Sequence, residues 1–326
     1  MKTTAKGAAI AALLLLAGCQ SEVKPENITA QVTEAASPQA SSASEGFWRH
    51  WSDGKAELSG YDLIQPRYGE KRHGRAVLVF VTEPYSRSRK VKVDRYNPND
   101  PDHAMALKLN HVRKFQTGVY DYSVMTSVFV DPTRGFAPME INFSMQEWCG
   151  HVFEEIHFDA DGASFDLNSY VEGESRREKL TMPSGALAED NLLIQLRGLG
   201  ADALDTRAAE VDLLPSANFR RLNHRPVQLT PSKITWSDAP AEITVPAGTF
   251  QAREATWRRM DGSSCTAQLE VAYPHRILGW RCDDGELARL TGSTRLAYWG
   301  THREGDEKLL SELGLAPVGF TPTSEP

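Results

Sequence analysis

Residues 106–131 decide the fold: ALKLNHVRKF (106–115), then Gln116-Thr117, then GVYDYSVMTSVFVD (118–131). Ala106–Phe115 and Gly118–Asp131 both alternate apolar and polar side chains, the two-residue period of a strand. Thr117-Gly118 supplies the turn that would fold them into an antiparallel pair. The same period extends outward in both directions. Upstream, Arg75–Glu83 (RAVLVFVTE) is a compact β-branched strand, and Ser88–Arg95 alternates around Val91 and Val93. Downstream, Met139–Phe158 is a long extended stretch with an interruption near Gly150. The segments 227–236, 242–245, 250–259, 265–273, 277–282 and 286–298 continue the pattern. Roughly a dozen strands broken by Gly, Asp and Pro predict a mainly β protein. They fit a large antiparallel meander sheet or an open or half-closed β-barrel.

One segment departs from period two. Ser184–Gly198 (SGALAEDNLLIQLRG) places Leu187, Leu192, Leu193 and Leu196 at helical spacing, with Pro183 before it, acidic residues near its start and Gly198 at its end. It predicts a connector helix over 184–198, joining sheet halves 47–183 and 199–303 in a body of 47–315. Residues 316–326 trail away as a frayed tail.

Composition narrows the function classes. The chain has 326 residues, 40% hydrophobic and 24% charged, which is neither disordered nor a polytopic membrane protein. Its net charge of −7 carries no basic footprint for nucleic acid. No Rossmann or P-loop glycine pattern occurs, and neither do Gly-x-Ser-x-Gly, His-Glu-x-x-His or Cys-x-x-Cys.

The start of the chain is an address. Lys2 and Lys6 precede the apolar run Ala8–Ala17, which is about half a bilayer span. Leu16-Ala17-Gly18-Cys19 resembles the bacterial lipoprotein signal box, cut immediately before its cysteine. The resemblance implies that 1–18 is a signal peptide and that Cys19 becomes the lipidated N-terminus, held in the membrane by acyl chains. Gln20 stands where such lipoproteins carry an Asp for inner-membrane retention, so the expected location is the periplasmic face of the outer membrane. Losing Lys2 and Lys6 takes the 36 basic residues to 34 against 43 acidic, a net charge of −9. Anionic headgroups would repel that surface, which leaves the acyl chains as the anchor. Residues 20–46, without an aromatic, Leu or Met, read as a disordered tether. Phe47-Trp48-Arg49-His50-Trp51 then opens the folded body.

Three further cysteines remain. Cys265 and Cys282 are symmetric about Tyr273-Pro274. A hairpin centred there places Cys265 opposite Cys282, Ala267 opposite Trp280 and Leu269 opposite Leu278, all on one face. Pro274 fits a tight primed turn poorly, so a longer or bulged loop could shift that register. Opposed strand residues lie close enough for a disulfide. Closing a loop of about 17 residues would contribute about 3 kcal/mol. Two reduced, buried thiols are the alternative.

Cys149 lies in Gln146-Glu147-Trp148-Cys149-Gly150-His151, followed by Glu154, Glu155 and His157. On an unbroken strand, Glu147, Cys149, His151, Glu155 and His157 would share one face. Two active readings follow. Cys149 could be a thiolate nucleophile activated by His151 with Glu147. Alternatively, Cys149, His151 and His157 could bind a transition metal, with Glu147 or Glu155 completing the site. Against the second, about 3.3 Å per strand residue separates Cys149 from His157 by roughly 26 Å, unless the strand turns near Gly150 or folds back at Asp159. The plain alternative is a polar strand face carrying one Cys.

In the second half, Val245-Pro246-Ala247-Gly248-Thr249-Phe250, Tyr273-Pro274 and Asp284-Gly285-Glu286-Leu287-Ala288-Arg289-Leu290 resemble bacterial envelope proteins of the domain of unknown function 3108 type. Glu189-Asp190 and Leu196-Arg197-Gly198-Leu199 resemble their central connector. The resemblance covers about 183–300 and implies an all-β open or half-closed barrel, with no catalytic residue, cofactor or activity to carry over. Three functions stay open. The first is a non-enzymatic lipoprotein binding a lipid or other amphipathic ligand on a curved sheet. The second is a ligand-free scaffold for envelope assembly. The third is a Cys/His-centred hydrolase or metal-dependent enzyme.

Overall fold

The computed structural model describes residues 42–200 and 204–317. The expected signal, Cys19 and most of the tether lie outside the described residues.

Alternation becomes strand throughout. The first half forms β1 (Ala56–Arg67), β2 (Glu70–Ser86), β3 (Val91–Lys92), β4 (His103–Thr117), β5 (Tyr120–Asp131), β6 (Ala137–Glu147), β7 (Gly150–Asp159), β8 (Gly162–Ser169) and β9 (Arg176–Leu180). The second half forms β10 (Leu187–Ala188), β11 (Ala209–Leu214), β12 (Thr230–Trp236), β13 (Ala241–Val245), β14 (Gly248–Arg258), β15 (Ser264–Glu270), β16 (Ile277–Cys282) and β17 (Leu287–Leu296). Neighbours run antiparallel from β9 through β8, β7, β6, β5, β4 and β2 to β1. From β1 the sheet passes to β17, the last strand, and on through β16, β15, β14 and β12 to β11. Among the described residues, only β10 and β11 pair in parallel. The sheet therefore curls into a barrel-like body that stays open between β9 and β10.

The interior is filled. Leu78, Leu109, Val128, Ile141 and Ile156 from one wall meet Leu213, Ala255, Ala267, Leu278 and Leu290 from the other in a single main core. Burying that apolar surface is the main stabilising term. On the outside, the 3-10 segment Asp306–Leu313 lies so close to β1 and β17 that a Cβ on Gly60 or Gly292 would sit 2.4 Å from a carbonyl oxygen.

Three short helices complete the body. Helix α1 (Glu45–Trp51) is capped by the Ser44 hydroxyl, which accepts from the Phe47 N–H at 3.2 Å. It buries Phe47 and Trp51, one helical turn apart, and so converts the aromatic opening of the body into a plug. Helix α2 (Glu189–Gln195) is shorter than the fifteen-residue helix read over 184–198. Leu187-Ala188 spend their backbone groups pairing with Leu213-Leu214, which delays the helix start. Helix α3 (Ala217–Leu222) had no counterpart in the periodicity.

Two registers refine the sequence reading. Trp148-Cys149 is a two-residue turn, so Glu147 pairs with Gly150 and the stretch 139–158 becomes the hairpin β6–β7. Cys265 pairs with Cys282 and Ala267 with Trp280, while a bulge after Gln268 sets Leu269 opposite Ile277 instead of Leu278. A disulfide joins Cys265 and Cys282.

Candidate functional site

The β1–β2, β4–β5 and β6–β7 turns end the barrel wall on one side, and α3 lies across that mouth. Ser216 caps α3 by accepting from the Phe219 N–H. The carboxylates of Glu189 and Asp190, in the first turn of α2, accept the Ser216 and Ala217 N–H groups, each at 2.9 Å. Free helix-start donors favour negative charge, which holds the two short helices together. Phe219 points inward beneath the Arg259 guanidinium, 4.8 Å from its ring centre. Arg220 grips Glu154 of β7 with two bonds, at 2.9 and 2.6 Å, and donates from Nε to the Pro215 carbonyl. The strand phase that buries Val152 and Ile156 turns Glu154 inward.

Under α3 the inward row of β4 changes character from Leu107 and Leu109 to His111 and Arg113. Arg113 is 8% exposed, lies 3.8 Å from Glu286 and leaves Nε and Nη1 without a hydrogen bond. Burial, with Arg113 beside it, keeps His111 well below its ordinary pKa and therefore neutral. Glu286 accepts from the Trp280 indole at 2.7 Å. Glu189 accepts from Trp257 and, at 2.6 Å, from Arg259. Burial pushes the Asp190 carboxyl up to about 6, offset in part by the Ala217 N–H and by Arg220. A cavity of about 40 Å³ lies among these groups. It has room for about one water, which suffices for the loose donors of Arg113.

A larger cavity of about 250 Å³ opens beside α3, between it and the wall of β6, β7 and β8. Phe143, Val152 and Leu167 form its apolar side. Arg221 lies in its wall, 9% exposed, with Nε and Nη1 both buried and without a hydrogen bond. The nearest carboxylate, on Glu174, is 3.8 Å from Nη1. It is already taken by His224 at 2.7 Å and the Ser169 hydroxyl at 2.9 Å. Although burial opposes it, those two bonds, helped by the Arg221 charge, hold Glu174 below its ordinary pKa. A polar cavity of about 260 Å³ flanks the other side of α3, where Gln65 Oε1 and Asn218 Oδ1 lack partners.

The sequence candidates fall elsewhere. Cys149 sits exposed in its turn as a free thiol. Its partner is Glu147, which accepts from the Cys149 N–H at 2.7 Å and from the Tyr170 hydroxyl at 2.7 Å. The hydrogen bond to Glu147 raises the thiol pKa, the opposite of what a nucleophile requires. His151 faces outward on β7 and makes no side-chain contact with Cys149 among the described residues. The trio Cys149, His151 and His157 is not assembled, because the turn leaves His157 eight residues along β7. His157 instead meets Glu140 and Glu155, with ligand atoms within 4.8 Å of one another. Glu140 there already accepts from Asn142 at 2.7 Å and from the Tyr85 hydroxyl.

Sequence reasoning passed over Asn218-Phe219-Arg220-Arg221-Leu222-Asn223-His224-Arg225. Its signal was present: three arginines and a histidine within eight residues of an acidic chain. A second signal was the polar His111 and Arg113 at inward positions of an apolar alternation.

No protein-family model matches the chain, and no curated protein matches it either. The resemblance of residues 183–300 to the domain of unknown function 3108 gains no support there. Among solved structures, the chain is similar to a beta-barrel-like protein of domain of unknown function DUF1849 from Brucella abortus. The two share 11% identity over 74% of this chain and 98% of that one, with a TM-score of 0.46. It is also similar to a DUF1089 family protein from Pseudomonas aeruginosa, at 14% identity over 52% of this chain and 82% of that one, with a TM-score of 0.33.

Proposed function

We propose that the protein is a non-enzymatic binding module, tethered to the envelope through Cys19, that receives a small ligand at the α3 mouth. The observation that carries this reading is the half-open cavity of about 250 Å³ at the end of an otherwise filled barrel. The reading moves the ligand from the curved sheet, whose inner face is occupied by the core, to the helix-capped rim. It also limits ligand size, since typical ligand pockets begin at about 300 Å³.

Native mass spectrometry of the purified mature chain tests it. A bound small molecule is expected, and Leu167→Trp, which fills the cavity, should displace it. Unliganded spectra for both proteins would overturn the proposal.

A second reading, a scaffold docking proteins at the same rim, is favoured by exposed apolar residues on the surrounding turns. Tyr68, Val119, Trp148 and Tyr170 are 58%, 78%, 72% and 47% exposed.

A further inference from the structure

We infer that the ligand of the 250 Å³ cavity is an oxyanion, a carboxylate or phosphate group carrying a short apolar substituent, and that Arg221 is its anchor. This inference rests on the binding reading above and names its ligand class.

Three observations converge. The first is the orphaned guanidinium. A buried cation without hydrogen bonds is costly, and Arg221 leaves two nitrogens unserved inside a cavity wall. Arg113 shows the same deficit, but beside a space of about 40 Å³ with room for about one water. The space beside Arg221 equals about eight waters, so it admits a molecule. Nε–H and Nη1–H leave the planar guanidinium from different edges, so each can donate a separate charge-assisted hydrogen bond to an anionic oxygen.

The second observation is charge. Four guanidinium groups, from Arg176, Arg220, Arg221 and Arg225, face the cavity against the two carboxylates of Glu154 and Glu174. Glu154 is consumed by Arg220, Arg176 pairs with Glu178 at 2.8 Å, and Glu174 is shared by His224, the Ser169 hydroxyl and, at 3.8 Å, Arg221. With Glu178 counted, four guanidinium groups meet three carboxylates, so one positive charge is in surplus, shared between Arg221 at the wall and the exposed Arg225 at the rim. It stands in a chain whose net charge is −7, so the rest of the surface does not account for it. A positive cleft in a low-dielectric wall concentrates anions.

The third observation is the apolar side. Phe143 and Val152 are almost wholly buried and face the same space as Leu167. An inorganic ion would leave that side unused, whereas a short alkyl chain would cover it. The volume has no room for two acyl chains, so the source is a small free amphiphile and not a membrane lipid.

Isothermal titration of the purified mature chain with hexyl phosphate, hexanoate, inorganic phosphate and hexanol tests the inference. Hexyl phosphate or hexanoate should bind at least tenfold more tightly than inorganic phosphate or hexanol and should weaken with added salt. Arg221→Gln should cost at least tenfold in affinity and Arg225→Gln about threefold, in line with direct and rim contacts to an anion. Thermal melts establish that each variant is folded. If Arg221→Gln does not fold, the exposed Arg225→Gln decides the matter, and an unchanged affinity there overturns the inference. Hexanol binding as tightly as hexanoate, or an unchanged affinity in folded Arg221→Gln, overturns it too. A neutral molecule found by mass spectrometry and displaced by Leu167→Trp would overturn the anion assignment while the binding reading survived. Absence of any bound molecule would overturn both.

Discussion

The two ends of the barrel each bury an arginine, and they treat it differently. At the α1 end, Arg197 is fully buried, and every nitrogen of its guanidinium is engaged. Two bonds of 2.8 and 2.9 Å reach Glu57, and the Pro274 carbonyl takes two more. Its flat face covers Phe80, 4.3 Å from the ring centre, beside Phe47 and Trp51. At the α3 end, Arg221 is nearly as buried, yet two of its nitrogens have no hydrogen bond and a cavity lies in front of it. Unpartnered atoms occur at the α1 end as well, Trp51 Nε1 and His50 Nε2 among them. Neither lines any of the three cavities described above. A saturated buried guanidinium is a structural rivet. An unsaturated one facing open space is a receptor for something that completes it.

The comparison breaks most visibly at Glu57. Glu57→Gln leaves Arg197 buried without its counter-charge, and removing one partner of such a pair costs about 3–5 kcal/mol. Thermal denaturation should show that loss, while ligand affinity at the far mouth stays unchanged below the melting point. A stability near wild type would mean that the α1 end is not held by this pair.

Next in size is Asp190, whose carboxyl is pushed from 3.8 up to about 6 by burial beneath α3. Its native pKa exceeds the unfolded one, so its contribution is fully present below pH 3.8 and lost as pH rises through 6. At 1.36 kcal/mol per pH unit the loss approaches about 3 kcal/mol. Asp190→Asn, which keeps an acceptor for the Ala217 N–H, should flatten the fall in melting temperature between pH 4 and pH 7. An equally steep profile in the variant would remove Asp190 from the account.

Arg221→Gln should change stability by less than about 1 kcal/mol, because no strong hydrogen bond is lost. The contrast with Glu57→Gln is then the direct measure of rivet against receptor. A loss as large as that of the α1 pair, read in the same denaturation experiment, would make Arg221 structural.

The smallest effect is local. Glu147→Gln removes the anion beside Cys149, so the midpoint of the pH profile for thiol alkylation should move down and the rate at neutral pH should rise. An unmoved midpoint would mean that Glu147 does not govern the thiol.

Much of the β architecture was legible because period two is local. Leu107, Leu109 and Phe115 share a face by chain geometry alone, and the Cys265–Cys282 register follows from counting outward from a turn. Pro274 pointed to a longer or bulged loop, but the position of the bulge after Gln268 was not legible, since it depends on how six loop residues pack. The interruption near Gly150 was legible, but not that Trp148-Cys149 makes a two-residue turn there. Without it, Cys149 and the histidines after it looked like one polar face. The mouth was hardest to see, because its charges come from β4, β7, α2, α3 and three turns, and no single segment carries them all.

The sequence by itself determined the alternation that makes strands, the aromatic opening that becomes α1, and the positions of the two cysteines that meet. Each is a property of neighbours along the chain, where side-chain period and turn chemistry act directly. Only the tertiary structure decided that β17 returns to β1, that Glu154 is claimed by Arg220, and that Arg221, 3.8 Å from Glu174, keeps two nitrogens without a hydrogen bond. Those outcomes depend on long-range pairing in a crowded, low-dielectric interior. There a guanidinium with unserved nitrogens is visible only once every other partner has been placed.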